Sequence, residues 1–332
     1  MYHWESSRAA AATPAGFGVP PDVQDLTHLK PRDAIGLKYL SACAMLTAVG
    51  LTLSVSGGWF AWTCGQILLG CAFLQWFVLL HEAGHRTLFR STVLNHGVGH
   101  IASFFALIPF ECWKLVHARH HVWTGWQDLD ATTAALVPRA LHPAERRLVN
   151  LCWKFWIPLF SVLYRATNFW NLARLQAYFP HPTQRRCLAR GVGLQGAAYL
   201  VTLYIFGIAE LVNATGLALL LCLMLQDLLL LSQHTHIPQN LSRGRKVGAF
   251  PLAAQEAYTR SLRFPAWFSA WILHFDAHEL HHMYPRVPGY RLRHIGYAPR
   301  NEVDWWLWVC GAKRLSGEVF LFQSRTQTGF ML

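Results

Sequence analysis

Two long stretches of the chain, residues 39–85 and 191–242, contain no Lys or Arg and are filled mostly by apolar side chains. A bilayer core takes about 20 apolar helical residues per crossing. Each stretch therefore predicts two crossings with a short turn between them, at Ser56, Gly57 and Gly58 in the first and at Asn213, Ala214, Thr215 and Gly216 in the second. The expected fold is an all-α integral membrane protein with four transmembrane helices in two hairpins. Neither turn carries a cation, so the positive-inside rule places the N-terminus, the central segment and the C-terminus on the cytoplasmic side. Residues 93–110 are apolar but lie between two polar clusters predicted on one face, so they dip in and return or lie flat. The aromatic segment 148–179, with Lys154, Arg165 and Arg174 spaced through it and Pro158 inside, reads as interfacial helices. Residues 1–36 hold Pro, Gly and charge without the apolar core of a signal peptide and read as a loosely ordered cytoplasmic arm. Residues 37–300 form the expected membrane domain, and residues 301–332 a cytoplasmic tail.

Composition agrees with a membrane protein: 53% of the 332 residues are hydrophobic, and the mean hydropathy is +0.22. The net charge of +12 does not mark a nucleic-acid binder, because the cations avoid two windows instead of forming a stripe. The eight Cys include no CxxC pair and read as reduced packing residues. A GVGLQG run at 191–196 opens an apolar helix with no strand before it, which excludes a dinucleotide loop.

The polar positions that interrupt this apolar pattern carry the chemistry. HEAGH stands at 81–85, HARHH at 117–121 and HELHH at 278–282. Residues four apart share a helix face, so His81 and His85 reach one point in space, and each HxxHH aligns its first His with the other two. Four ligands complete a tetrahedral site, so these eight imidazoles imply two metals. Imidazole alone does not choose among zinc, copper and iron. A ninth ligand is expected from QHTH at 233–236. His234 lies within about 20° of the direction of the inward-facing Asp227, whereas His236 points about 180° away, so His234 is the expected ligand and His236 an outer-shell partner. Glu82, Asp128, Asp130 and Glu279 are candidates to accept the second ring N–H of a ligand, as Asp227 is from its place on the same helix face. His274 shares a face with His278 and is assigned to the outer shell or the substrate pocket. His96 and His100 repeat the i, i+4 spacing in the glycine-containing HGVGH, a poor rigid helix, and read as non-ligands.

HEAGH, HARHH and HELHH, followed by MYPRVPGYRL, resemble the three histidine boxes and trailing proline motif of the membrane fatty acid desaturase and hydroxylase superfamily. That resemblance covers residues from about 35 to about 295 by the spacing of boxes and helices. It implies a non-haem di-iron centre at the cytoplasmic helix ends, held by His81, His85, His117, His120, His121, His278, His281 and His282. O2 is then the co-substrate. An unactivated methylene offers no acidic proton and no leaving group, so a metal-bound oxidant has to break it. The chain carries no haem-attachment or iron–sulfur motif, so electrons come from a separate carrier: a ferredoxin, a rubredoxin or a b-type cytochrome. Arg243, Arg245, Lys246, Arg286, Arg291 and Arg293 suit either an acidic carrier or anionic lipid headgroups. A fatty acyl desaturase is the leading activity. A hydroxylase or ketolase on an alkyl, acyl or carotenoid substrate and a zinc-dependent hydrolase are the alternatives. Trp153, Phe155, Trp156, Phe160 and Phe169 are expected to cover an apolar substrate tunnel, with an interfacial aromatic belt as the competing reading.

Overall fold

The computed structural model describes residues 22–332, so residues 1–21, most of the expected arm, lie outside the described residues. Helices α1 (Asp33–Val55) and α2 (Trp59–His85) meet at the predicted turn, where Gly57 and Gly58 adopt φ of 82° and 83°, a region that favours glycine. The two helices cross in close contact. A Cβ on Gly65 would stand 2.6 Å from the Ser54 backbone N and 2.7 Å from the Gly50 carbonyl.

Helices α3 (Thr92–Ala106) and α4 (Phe110–Trp123) follow, bent 97° from one another. Then come α5 (Pro143–Phe155), α6 (Leu159–Arg165), a π turn (Ala166–Trp170) and α7 (Leu172–Tyr178). This aromatic segment is not simply laid on a surface. Arg165 is buried, with its guanidinium donating to the Ala106 and Ser161 carbonyls at 3.1 Å each and to Gln226 Oε1. A buried cation is tolerable when each of its nitrogens finds an acceptor in this way.

Helices α8 (Pro182–Phe206) and α9 (Ile208–His234) are separated by Gly207 alone, at φ 75°. The turn expected at residues 213–216 is therefore misplaced by about two helical turns. Those residues are helical, and a buried side chain explains how four polar or small residues are accommodated there. Gln66 of α2 donates to the Ala214 carbonyl at 2.7 Å and accepts from Ala218 N at 2.9 Å, standing in for the helix's own hydrogen bond. Trp62 Nε1 donates to the Asn213 carbonyl at 2.8 Å. Among the described residues α1, α2 and α9 are long and apolar enough to cross a membrane, and a fourth span results if the bent pair α3 and α4 is taken as one.

The remaining chain caps the end of the bundle. A 3-10 turn (Leu252–Tyr258), α10 (Ala266–Trp271), α11 (His278–Met283) and α12 (Gly289–Leu292) precede the last helices. Strands β1 (Leu262–Arg263) and β2 (Val303–Asp304) pair in parallel. Helices α13 (Trp305–Ala312), α14 (Gly317–Phe322) and α15 (Arg325–Thr328) then fold back. Trp308 and Phe320 are fully buried there, in a cluster with Leu228 and Leu231 of α9.

Candidate metal centre

HEAGH is the last turn of α2, HARHH the last two turns of α4, HELHH all but the end of α11, and His234 the last residue of α9. Four helix ends therefore deliver nine imidazoles to one buried place. His81, His85, His117 and His281 form one nest; His120, His234, His278 and His282 form another, with ring nitrogens within 4.8 Å in each. His121 completes the first, its Nε2 3.1 Å from His117 Nε2 and 3.0 Å from His281 Nε2. Within the second, His234 Nε2 is 2.7 Å from His278 Nε2, and His278 Nε2 is 3.0 Å from His282 Nε2. His121 and His282 are neighbours across the nests, with ring centroids 4.5 Å apart.

The hydrogen bonds on the outer ring nitrogens fix what the inner ones present. His120 Nδ1 donates to Asp130 Oδ2 at 2.7 Å, with Thr132 Oγ1 3.0 Å away. Gln255 Nε2 donates to the His121 carbonyl at 2.7 Å, so its Oε1 faces His282 Nδ1 at 2.9 Å and accepts from it. With their outer nitrogens held in this way, His120 and His282 turn their inner Nε2 atoms toward each other at 3.2 Å. A cation is the natural occupant of such a gap, and a neutral imidazole lone pair is what a transition metal binds. Burial first, and then the neighbouring imidazoles, holds His278, His281 and His282 well below the ordinary histidine pKa, which keeps them in that neutral form. Burial alone would raise the Asp130 carboxyl, but His120 and the Thr132 N–H hold it below the usual carboxylate value.

In the first nest Glu82 is the corresponding support. Its Oε1 is 3.3 Å from His81 Nδ1, while Oε2 accepts from Thr87 Oγ1 and from Gly289 N, both at 2.8 Å. Gly289 explains the trailing motif: a Cβ there would stand 2.3 Å from the Leu273 carbonyl and 2.9 Å from Glu82 Oε1. Gly84 of HEAGH has a similar reason. A Cβ would meet the Trp113 ring at 2.0 Å, and that ring stacks on His117 at 4.2 Å between centroids.

Other expected partners lie elsewhere. Asp128 accepts from the backbone N of Ser242 (2.9 Å) and Arg243 (3.1 Å) and ties two loops. Glu279 points away from the rings on its own helix and accepts from Asn301 N (2.7 Å) and Ser261 N (3.1 Å). Burial pushes its carboxyl up to about 7. Asp227 faces inward as expected but accepts from Ser161 N at 2.8 Å, at the start of α6, and reaches no imidazole. His274 pairs with Ser269 Oγ at 2.8 Å. His236 follows the end of α9 at φ 56° and turns to the C-terminal helices, where it meets the Gln323 carbonyl (3.0 Å) and Thr328 Oγ1 (2.9 Å). The helix stops where Pro238 suggested, and the re-aimed side chain points out of the nest. Gln255 and Thr132 were not expected, because a neutral amide and a hydroxyl give no pattern in sequence.

Beside the nests lies an apolar chamber of ≈ 240 Å³. Trp153, Trp156 and Phe160 line it, as do Leu163, Asp227 and Leu231. Phe155 instead faces outward, 61% exposed, and Phe169 is packed in the main core, because the bends at Trp156 and at the π turn rotate them away. Thr132, Leu136, Phe160 and Tyr164 line both this chamber and the space against His81, His117, His120, His234 and His278.

Fold and site together define a membrane protein whose clustered imidazole nests suit transition metals. The fatty acid desaturase family profile matches residues 57–304, and the chain belongs to that family, an oxidoreductase of lipid metabolism. It is 26% identical to the sn-1 oleoyl-lipid 12-desaturase of Picosynechococcus over 83% of this chain and 78% of that protein. The acyl-lipid omega-3 desaturase (cytochrome b5) of Arabidopsis thaliana is 23% identical over 85% and 72%, and the omega-3 fatty acid desaturase of Vigna radiata 23% over 75% and 67%. These relatives favour the desaturase reading over the hydroxylase, ketolase and hydrolase readings.

Proposed function

We propose that the chain is a membrane-bound desaturase that removes two hydrogens from an acyl chain at a di-iron centre, with O2 as oxidant. The observation that carries this is the shared wall between chamber and nests: an apolar chain in the chamber runs past Phe160 and Tyr164 to the imidazoles. His81, His85, His117, His121 and His281 would hold one iron and His120, His234, His278 and His282 the other. Bound iron supplies the oxidant that an unactivated methylene requires.

The protein's own contribution is placement. Asp130, Gln255 and Glu82 lock the rings by their outer nitrogens, and the chamber excludes water along the chain. Leu148, Ile157 and Leu163 line the chamber and are also about half exposed on the outer surface. A chain attached to a membrane lipid thus enters sideways, which fits the acyl-lipid substrates named for the relatives.

Both termini and the centre are assigned to the cytoplasmic side from the placement of cations, with α1–α2 and α8–α9 as the two hairpins and the bent pair α3–α4 returning to the face it left, since His85 and His117 meet at 2.8 Å. Electrons come from a separate carrier, and the cytochrome b5 named for the Arabidopsis relative is one such class. Arg243, Arg245, Lys246 and Arg286 are exposed for it, whereas Arg293 is committed to Asp276 and Glu302 at 2.8 Å each. The test is expression in a lipid-producing host with mass analysis of the acyl chains. Loss of a hydrogen pair supports the proposal; gain of one oxygen atom without that loss overturns it.

A further inference from the structure

A second convergence of metal-binding groups lies outside both nests. His96 and His100 occupy successive turns of α3, and Glu111 stands in the first turn of α4, across the 97° bend. Both imidazoles aim Nε2 at one carboxylate oxygen: His96 at 3.1 Å and His100 at 3.6 Å from Glu111 Oε1. The ligand atoms of all three residues lie within 4.8 Å of one another. The other carboxylate oxygen is already held, by Lys114 Nζ at 2.8 Å and by the Cys187 thiol at 3.2 Å. Glu111 is thereby fixed in a buried position with Oε1 turned to the histidines, whose side chains are 51% and 42% exposed. The glycines that argued against a rigid helix do not break it. Gly97 has open space around its Cβ position, and at Gly99 a Cβ would stand 2.2 Å from the Phe110 ring, so the missing side chain lets α4 approach.

We infer that His96, His100 and Glu111 form a binding site for a single divalent ion of the zinc class, separate from the metal centre. Two imidazoles and one carboxylate are a donor set such ions accept. The three ligands come from both arms of the bend, so the ion would pin α3 to α4. His117 lies six positions after Glu111, so the ion would sit about 9 Å along α4 from the first nest. The site stands whatever metal the nests hold.

The full-length enzyme, purified in detergent with its resident metals, is titrated with Zn2+ or Co2+, desalted and analysed for metal. The expected result is one ion per chain beyond the resident content and a rise in thermal midpoint on addition. His96→Ala and His100→Ala should each weaken uptake at least tenfold, and the double variant should lose both the ion and the thermal shift while its resident metal content stays that of the unaltered enzyme. Uptake of no additional ion by the unaltered enzyme, or equal uptake by the double variant, overturns the assignment. Should the double variant fold poorly, Glu111→Gln gives the same reading by removing the anionic ligand while keeping shape.

Discussion

The imidazole nests and the apolar chamber share Thr132, Leu136, Phe160 and Tyr164, yet they are built by opposite rules. Three of the nest rings are held by a polar contact on the outer nitrogen, His120 by Asp130, His282 by Gln255 and His81 by Glu82, and an apolar substitute offers no such contact. The chamber is held by the shapes of Leu163, Trp153, Trp156 and Phe160, which other apolar residues of similar size replace at modest cost. On the proposed function the nests would decide whether chemistry occurs, and the chamber which chain it occurs on.

The sharpest break of that contrast is His234→Ala, which should cost an iron and all turnover. His236→Ala, whose ring faces Gln323 and Thr328, should keep the iron. A fully metallated His234→Ala protein, by metal analysis, would defeat the ligand assignment. Next in size, Asp130→Ala removes the acceptor that orients His120, and metal affinity measured against a chelator should fall by roughly 10- to 100-fold. In the chamber the effects are graded. Each methylene buried is worth about 0.8 kcal/mol, close to fourfold in preference. Leu163→Trp should move the favoured chain to shorter lengths by product profiling, at unchanged metal content. An unchanged profile would assign the chamber to something other than the acyl chain.

The smallest effect concerns Lys313, whose ammonium lies 3.9 Å over the Trp153 ring and 4.2 Å over the Trp156 ring. Burial pushes it down from 10.5 to about 8, against the upward pull of Asp227. Between those values the folded state binds fewer protons than the unfolded chain, so stability rises with pH across that window. Lys313→Met should flatten the rise, read as the thermal midpoint at successive pH values.

Much of this was legible in sequence because helices repeat. His81 with His85, and His117 with His120 and His121, lie at spacings that any helix brings to one face, and the Gly57 and Gly58 turn announced itself between two apolar runs. The same angular argument turns His234 inward, where it stands beside His278. The second turn was misread because Asn213 to Gly216 look like a break, and nothing local reveals that Gln66, far away in the chain, takes up the backbone groups there. The acids divided for the same reason: Asp130 reached a ring, while Asp128 and Glu279 met backbone N–H groups supplied by distant loops. His96 and His100 read as non-ligands on their glycines, and sequence does not show that Phe110 packs against Gly99 and that Glu111 stands beside them.

The amino-acid sequence by itself determined the apolar lengths, the helical spacing of the imidazoles and the capacity of such donors to bind metal, since these depend only on neighbours along the chain. Which imidazoles share a nest, which side chains hold their outer nitrogens and where the chamber opens were decided only in the tertiary structure. Those contacts join α2, α4, α9 and α11, segments separated by up to 200 positions, as His81 is from His281. No local pattern encodes the angle at which such segments meet.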